Sequence, residues 1–151
     1  MKTLIAYDST YGNTEKIARA IGSAIDGDIK TLRISEVKPV DLQSLDLLIV
    51  GSPTQGGRAT KPMQAFLGKI PASALKGKRM AAFDTRMTTK LVGIFGYAAG
   101  RMADSLKKKD ANLVLSPEGF FVTGAQGPLK EGEVERAAKW GKELVQRNNQ
   151  L

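Results

Sequence analysis

The stretch best suited to binding chemistry is a polar loop near the start of the chain. Residues 8–14 are Asp-Ser-Thr-Tyr-Gly-Asn-Thr, which follow an apolar run at residues 4–7 and precede apolar residues at helical spacing. The first N–H groups of a helix have no partner inside it and carry partial positive charge, so an anion binds well there. Hydroxyl and amide donors and a glycine that permits a tight turn are supplied by Ser9, Thr10, Thr14, Asn13 and Gly12.

The absence of cations from this loop indicates which kind of anion it could bind. No lysine or arginine lies between Asp8 and Thr14. Neutral donors suit a terminal monophosphate, whereas the glycine-rich loops that hold nucleoside triphosphates end in Gly-Lys-Ser/Thr. The alternative is a plain helix N-cap, because serine and threonine cap helices without any ligand.

Hydrophobic patterning places the loop in an alternation of strands and helices, which predicts a parallel sheet covered on both faces by helices. A proline at position 71 ends the second helix. We expect strands at residues 2–8, 28–34, 45–50, 79–83 and 113–122, the last interrupted at 116–119, and helices at residues 13–25, 60–70, 89–109 and 132–147.

Three of these strands, the first, third and fourth, each end in a loop of small and polar residues. In a parallel sheet such loops lie on one rim. The second loop, residues 51–58, has two adjacent glycines and no bulky apolar side chain, and the third, residues 84–87, is Asp-Thr-Arg-Met. This arrangement suits a planar ring held edge-on, with its phosphate tail in the first loop.

The residues of these loops resemble those of a known family. Residues 9–14 resemble the FMN phosphate loop of flavodoxins, Ser/Thr-x-Thr-Gly-x-Thr, with Tyr11 one place out of step before the glycine. Gly-Ser-Pro-Thr at residues 51–54 and the phrase at residues 127–133 are also similar to flavodoxin-domain proteins. The resemblance covers nearly the whole chain, in the short-chain type. It implies a flavodoxin-like three-layer α/β/α sandwich with a five-stranded parallel sheet in the order 2-1-3-4-5, as a single domain of residues 1–151.

The resemblance also implies FMN as the cofactor. It assigns no catalytic side chain and no metal ligand. By motif, the phosphate would contact Ser9, Thr10, Tyr11, Gly12, Asn13 and Thr14, one side of the isoalloxazine would contact Pro53, Thr54, Gln55, Gly56 and Gly57, and the other side would contact Asp84, Thr85, Arg86 and Met87.

Two features depart from the family pattern. Flavodoxins usually stack the flavin between aromatic side chains of the second and third loops, yet residues 51–59 and 84–89 contain no Trp, Tyr or Phe. Flavodoxins are typically acidic, whereas this chain has 23 Lys and Arg against 15 Asp and Glu, a net charge of +8. We therefore expect a redox partner protein that carries an acidic patch.

Composition excludes several classes of function. With no cysteine and no histidine, the chain has no disulfide framework, Cys/His zinc site, thiol nucleophile or Ser-His-Asp relay. The chemistry of any enzyme activity is therefore expected to belong to a cofactor. Scattered cations argue against nucleic-acid binding, and the one tight run, residues 107–109, lies at a predicted helix end that favours positive charge.

The expected location is the cytoplasm. No apolar run approaches the ~18 residues of a membrane span, and the first residues enter a strand directly, so no signal peptide is expected.

Four functions compete. The favoured one is an FMN-binding electron carrier between a reductase and an acceptor, rather than a stand-alone enzyme. The first alternative is an FMN-dependent NAD(P)H oxidoreductase acting on a quinone or a similar planar acceptor. A signalling receiver domain is disfavoured, because Asp8 stands alone and Thr123-Gly124 replaces the expected lysine. A cofactor-free scaffold of the same fold remains open.

Overall fold

The protein is described here by a computed structural model that covers residues 1–88 and 97–150. Two short 3₁₀ turns, Ile34–Glu36 and Pro39–Leu42, connect the second strand to the third. The strands are β1 (Lys2–Tyr7), β2 (Asp28–Arg33), β3 (Leu47–Pro53), β4 (Arg79–Arg86), β5 (Asn112–Leu113) and β6 (Glu118–Phe121). The helices are α1 (Asn13–Ala24), α2 (Lys61–Lys69), α3 (Ala72–Leu75), α4 (Ala98–Lys107) and α5 (Glu133–Gln150).

All strand pairs in the sheet are parallel, in the order β2-β1-β3-β4-β5, which confirms the predicted order. The last predicted strand is split in two. β5 pairs with the start of β4, and β6 pairs with its end. The interruption lies at residues 114–117, earlier than the predicted 116–119, and separates two short strands along one edge of the sheet.

Helices cover both faces of the sheet, because side chains alternate between the faces along each strand. On β1, Leu4 packs in a cluster with α2, α3 and α4, whereas Ile5 packs in a second cluster with α1 and α5. Both side chains are almost fully buried. The result is the expected three-layer α/β/α sandwich. Among the described residues, no helix combines the length and apolarity that a membrane crossing requires.

Two strands run further into the rim than predicted. β4 continues to Arg86, because β6 pairs with it from Phe83 to Arg86. β3 continues to Pro53, which pairs with Thr85. The segment predicted as the third loop therefore lies mainly within β4, and only Met87 follows the strand.

Within the helix predicted at residues 89–109, Tyr97 has an extended backbone, with φ −133° and ψ 153°, and α4 runs from Ala98 to Lys107. Residues 89–96 lie outside the described residues. The last helix reaches Gln150 rather than residue 147. Arg79 Nη1 donates to Asn148 Oδ1 at 3.1 Å and fixes this end of the helix.

Candidate cofactor site

The loop between β1 and α1 opens the helix with a glycine. Gly12 is the N-cap residue, with a left-handed φ of 93°, and has no side chain that could cap the helix. The hydroxyl of Ser9 accepts hydrogen bonds from the N–H groups of Gly12 at 3.1 Å and Glu15 at 3.4 Å. Among the described residues, none accepts a hydrogen bond from the first-turn N–H groups of Asn13 and Thr14, so these two groups are left for a ligand.

Hydrogen bonds join this loop to the neighbouring strand ends and to the loops that follow them. The N–H of Asp8 donates to the carbonyl of Gly51 at 3.0 Å. Gln55 Nε2 donates to the hydroxyl of Thr10 at 3.0 Å, and the hydroxyls of Thr14 and Thr85 lie 2.9 Å apart. Asn13 Nδ2 donates to the carbonyl of residue 126 at 3.2 Å. The structure thus brings together residues from all three loops predicted from the sequence.

Arg33 at the end of β2 lies behind the loop and was missed by the sequence analysis. Its Nη1 donates to the carbonyl of Ser9 at 3.1 Å, and its Nη2 lies 3.3 Å from Glu15 Oε1. The hydrogen bond from the Tyr7 hydroxyl holds the pKa of Glu15 below its ordinary value, and Arg19 and Arg33 act in the same direction. The carboxylate of Glu15 thus balances the positive charge of Arg33. Arg33 pairs with Tyr7 across the parallel strands, and this register brings it beside the loop.

The second loop closes in a two-residue turn. Gln55 and Arg58 exchange backbone hydrogen bonds of 2.8 and 3.1 Å around Gly56 and Gly57. Both glycines have positive φ, 58° and 77°, as a type I′ turn requires. The carbonyl of Gly57 accepts a hydrogen bond from Arg101 Nε at 2.9 Å, which attaches the turn to α4.

Asp84 lies beneath the site rather than in its wall. The carboxylate is fully buried and accepts two hydrogen bonds from Arg86, at 2.7 and 2.8 Å. It also accepts the N–H of Ala99 at 2.9 Å, at the start of α4. Burial raises the pKa of Asp84 above its ordinary value, although Arg86 and Ala99 oppose that shift.

Arg86 is held between two surfaces. Its guanidinium carbon lies 3.5 Å from the centre of the Tyr97 ring. A Cβ placed on Gly119 would lie only 2.1 Å from its Nε, so Arg86 packs against the backbone of β6. Tyr97 therefore contacts the end of the predicted third loop, residues 84–87. The sequence did not indicate this contact, because Tyr97 was predicted to lie inside a helix.

These elements surround a cavity of about 290 Å³, near the lower limit for small-molecule sites. Arg86 is the one charged side chain among its described lining residues, and Asp84 pairs with it. The lining residues that the sequence analysis assigned to the site are Ser9, Thr10, Tyr11, Asn13, Thr14, Pro53, Thr54, Gln55, Thr85, Arg86 and Met87.

Six residues differ between the predicted set and the observed lining. Gly12, Gly56, Gly57 and Asp84 do not line the cavity, whereas Val122 and Ala125 do and were missed. Both missed residues follow β6, whose carboxyl end lies on the same rim as those of β1, β3 and β4. The topological argument that placed the first three loops therefore extends to the fourth.

The lining residues fit a neutral ring with an anionic tail. Hydroxyls, an amide and free N–H groups meet at the α1 end, and Pro53 and Met87 add apolar surface. Among the lining residues, no His, Cys, Asp or Glu is available for acid–base or nucleophilic work. Within the described residues, no group of acidic side chains could hold a metal ion.

Comparison with known proteins identifies relatives. The family model described as "Flavodoxin domain" matches residues 4–116. A putative diflavin flavoprotein A 4 of Synechocystis sp. is 34% identical over 118 residues, covering 72% of this chain and 18% of that protein. An NAD(P)H dehydrogenase (quinone) of Gluconacetobacter diazotrophicus is 31% identical over 171 residues, covering 93% of this chain and 80% of that protein.

A solved structure described as a flavodoxin from the domain Archaea superposes with a TM-score of 0.83 at 23% identity, covering 99% of each chain. This likeness concerns the fold. The chain spans only 18 to 26% of the length of the three diflavin flavoproteins compared.

Proposed function

The chain belongs to the flavodoxin domain family, and we propose that it carries electrons between a reductase and an acceptor through FMN bound in the cavity. FMN is the cofactor of this family. The observation that carries the proposal is the start of α1, where two first-turn N–H groups and neutral side-chain donors border a cavity shared by four strand ends.

The residues present fit FMN on chemical grounds. The hydroxyls of Ser9, Thr10 and Thr14 and the first-turn N–H groups would hold the phosphate, with Gly12 contributing through its backbone conformation. When bound, FMN supplies the reversible uptake of one or two electrons.

The ring would lie between the second-loop residues and the end of β4. Pro53, Thr54 and Gln55 line the cavity from the second loop, and Thr85, Arg86 and Met87 line it from the end of β4. Asp84 would act through Arg86, which it fixes in place. The turn at Gly56–Gly57 would border the ring beyond the present cavity wall.

The proposed partner is a protein with an acidic patch. The net charge of +8 supports this proposal, since opposite charges speed the encounter of two proteins. The cytoplasmic location and the action of residues 1–151 as one domain stay predictions of the sequence.

The test is the colour and content of the purified protein. We expect a flavin absorption spectrum, and release of FMN rather than riboflavin on denaturation. The reduced protein should then reoxidise when an acceptor protein is added. A colourless protein that binds no added FMN would instead support the cofactor-free scaffold.

The alternative is direct reduction of a quinone by NAD(P)H. The relationship to an NAD(P)H dehydrogenase (quinone) over most of both chains favours it. Steady-state oxidation of NADPH or NADH with benzoquinone, by the FMN-loaded protein alone, separates the two. Turnover above the FMN-only background would identify an enzyme, and its absence would support the carrier.

A further inference from the structure

A second depression lies beside the cofactor cavity, between α2 and α4. Its lining includes the buried apolar residues Leu67 and Met102. Its rim carries three cations, Arg58, Arg101 and Lys108, all of which are exposed. We call this depression, of about 270 Å³, the cationic groove.

The cationic groove shares a wall with the cofactor cavity. Gln55 lines the cavity, whereas Arg58 lines the groove, and their backbones are hydrogen-bonded across the Gly56–Gly57 turn. Arg101 also donates to the carbonyl of Gly57 at 2.9 Å. A partner seated in the groove would therefore lie one turn away from the edge of the bound ring.

The excess of positive charge around the cationic groove favours an acidic occupant. Asp104 is the single carboxylate among its described lining residues, against three cations. The three cations are exposed, and they come from separate places: Arg58 follows the Gly56–Gly57 turn, Arg101 lies in the first half of α4, and Lys108 lies at its end. Such a rim suits several carboxylates spread over a protein surface better than one compact phosphate.

We propose that the cationic groove docks an acidic segment of the redox partner. The proposal rests on the electron-carrier function, because a docking site is useful there only if electrons leave the ring nearby. It places the positive charge that steers the partner on one face, between α2 and α4, beside the turn that borders the cofactor.

The experiment is an NMR titration of the FMN-loaded, ¹⁵N-labelled protein with deca-glutamate. We expect shift changes centred on Arg58, Arg101 and Lys108 that weaken as sodium chloride is raised. The double variant Arg58→Glu, Lys108→Glu should bind the peptide about tenfold more weakly. The control Lys139→Glu, Lys142→Glu changes the net charge equally on exposed positions of α5, across the sheet, and should bind within about twofold of the unmodified protein.

The outcomes separate the two proposals. Failure to load FMN would overturn the electron-carrier function, irrespective of the peptide. Normal FMN loading with peptide shifts elsewhere, or with equal losses in both double variants, would overturn the groove alone. Groove shifts with NADPH at concentrations where deca-glutamate gives none would also overturn it, and would indicate a nucleotide phosphate site.

Discussion

Arg33 shows how a single side chain on a neighbouring strand can hold the β1–α1 loop in position. Its guanidinium donates to the carbonyl of Ser9 and contacts Glu15, so it fixes the backbone of the loop. The cation lies on the neighbouring strand, outside the loop sequence. The donors at the opening of α1 stay neutral as a result.

We predict that Arg33→Met weakens FMN binding about fivefold to tenfold, while riboflavin binding changes little. The side chain is 37% exposed, so solvent screening limits the effect to ~1 kcal/mol. Fluorescence titration of both ligands measures it. Arg33→Lys should recover part of the loss.

Arg19→Met is the matched control, because Arg19 contacts the same carboxylate of Glu15 at 3.7 Å but is 62% exposed. Equal losses for FMN and riboflavin in Arg33→Met would contradict the assigned role in holding the phosphate loop.

Asp84 provides a prediction about pH. Burial raises the pKa of Asp84 in the folded protein. The group therefore stabilises the fold fully below its unfolded pKa of about 3.9, and this contribution to stability is lost as pH rises through the folded-state pKa. We expect Asp84→Asn to remove this dependence. The difference in free energy of unfolding between variant and wild type should therefore shift in favour of the variant from pH 4 towards pH 7.

Urea denaturation at several pH values measures this difference. A pH-independent difference would show that Asp84 keeps its ordinary pKa in the folded protein. A shift in the opposite direction would mean that the contact with Arg86 outweighs burial.

At the residue scale, the sequence predicted the hydrogen-bond donors of the site but not the side chains that hold the site in place. Ser9 to Thr14 were recognisable because polar residues at a strand-to-helix junction have a specific chemistry. Arg33 and Tyr97 act through contacts between distant segments, which no local pattern encodes. Asp84 was predicted to contact the ring, but it is buried below the cavity. Its burial depends on how β6 and α4 pack over it, which the local sequence does not reveal.

Among the elements, β4 joins the site to the core. Its central residue Phe83 packs edge-on against Phe120 and Trp140, with ring centres about 6 Å apart. Its end carries Thr85 and Arg86 into the cavity. A substitution that displaces this strand should therefore affect both the stability of the fold and the binding of a ligand in the cavity.

We predict that Gly51→Ala on β3 destabilises the protein by about 1–3 kcal/mol. A Cβ at this position would lie 2.0 Å from the Phe83 ring, which has no free space to move into because both neighbouring rings are buried. Urea denaturation measures the loss. An unchanged midpoint would contradict the packing described around Phe83.

Gly68→Ala on α2 is the matched control. An added Cβ there meets no heavy atom within 4 Å. Replacing a helical glycine by alanine should raise stability by up to about 1 kcal/mol.

The alternation of apolar runs correctly predicted a parallel sheet covered by helices, and the resemblance to flavodoxins implied the strand order that is observed. The ends of β3 and β4 were placed too early. Their length depends on pairing with each other and with β6, which lies more than 30 residues further along the chain. Tyr97 was predicted to be helical but has an extended backbone, which is not evident from hydrophobic spacing, and α4 begins at Ala98.

For the molecule as a whole, the two apolar clusters stabilise the sheet from both faces and leave the rim free for a ligand. Because FMN binds the folded state, it should stabilise the fold by mass action. At a free concentration of 100 times Kd the gain is about 2.7 kcal/mol. For a chain of this size that corresponds to a rise in Tm of roughly 5–11 °C.

Calorimetry with FMN and with riboflavin at equal concentration checks this expectation. Riboflavin lacks the phosphate and should raise Tm much less. The same rise with both ligands would place the binding energy in the ring alone, against the role given to the β1–α1 loop.

The most direct measurement is a crystal structure of the protein grown with FMN. The account predicts phosphate density against the N–H groups of Asn13 and Thr14 and the hydroxyls of Ser9, Thr10 and Thr14, with the ring between Pro53–Gln55 and Thr85–Met87. Solvent alone at the opening of α1, with FMN bound elsewhere or not at all, would contradict it.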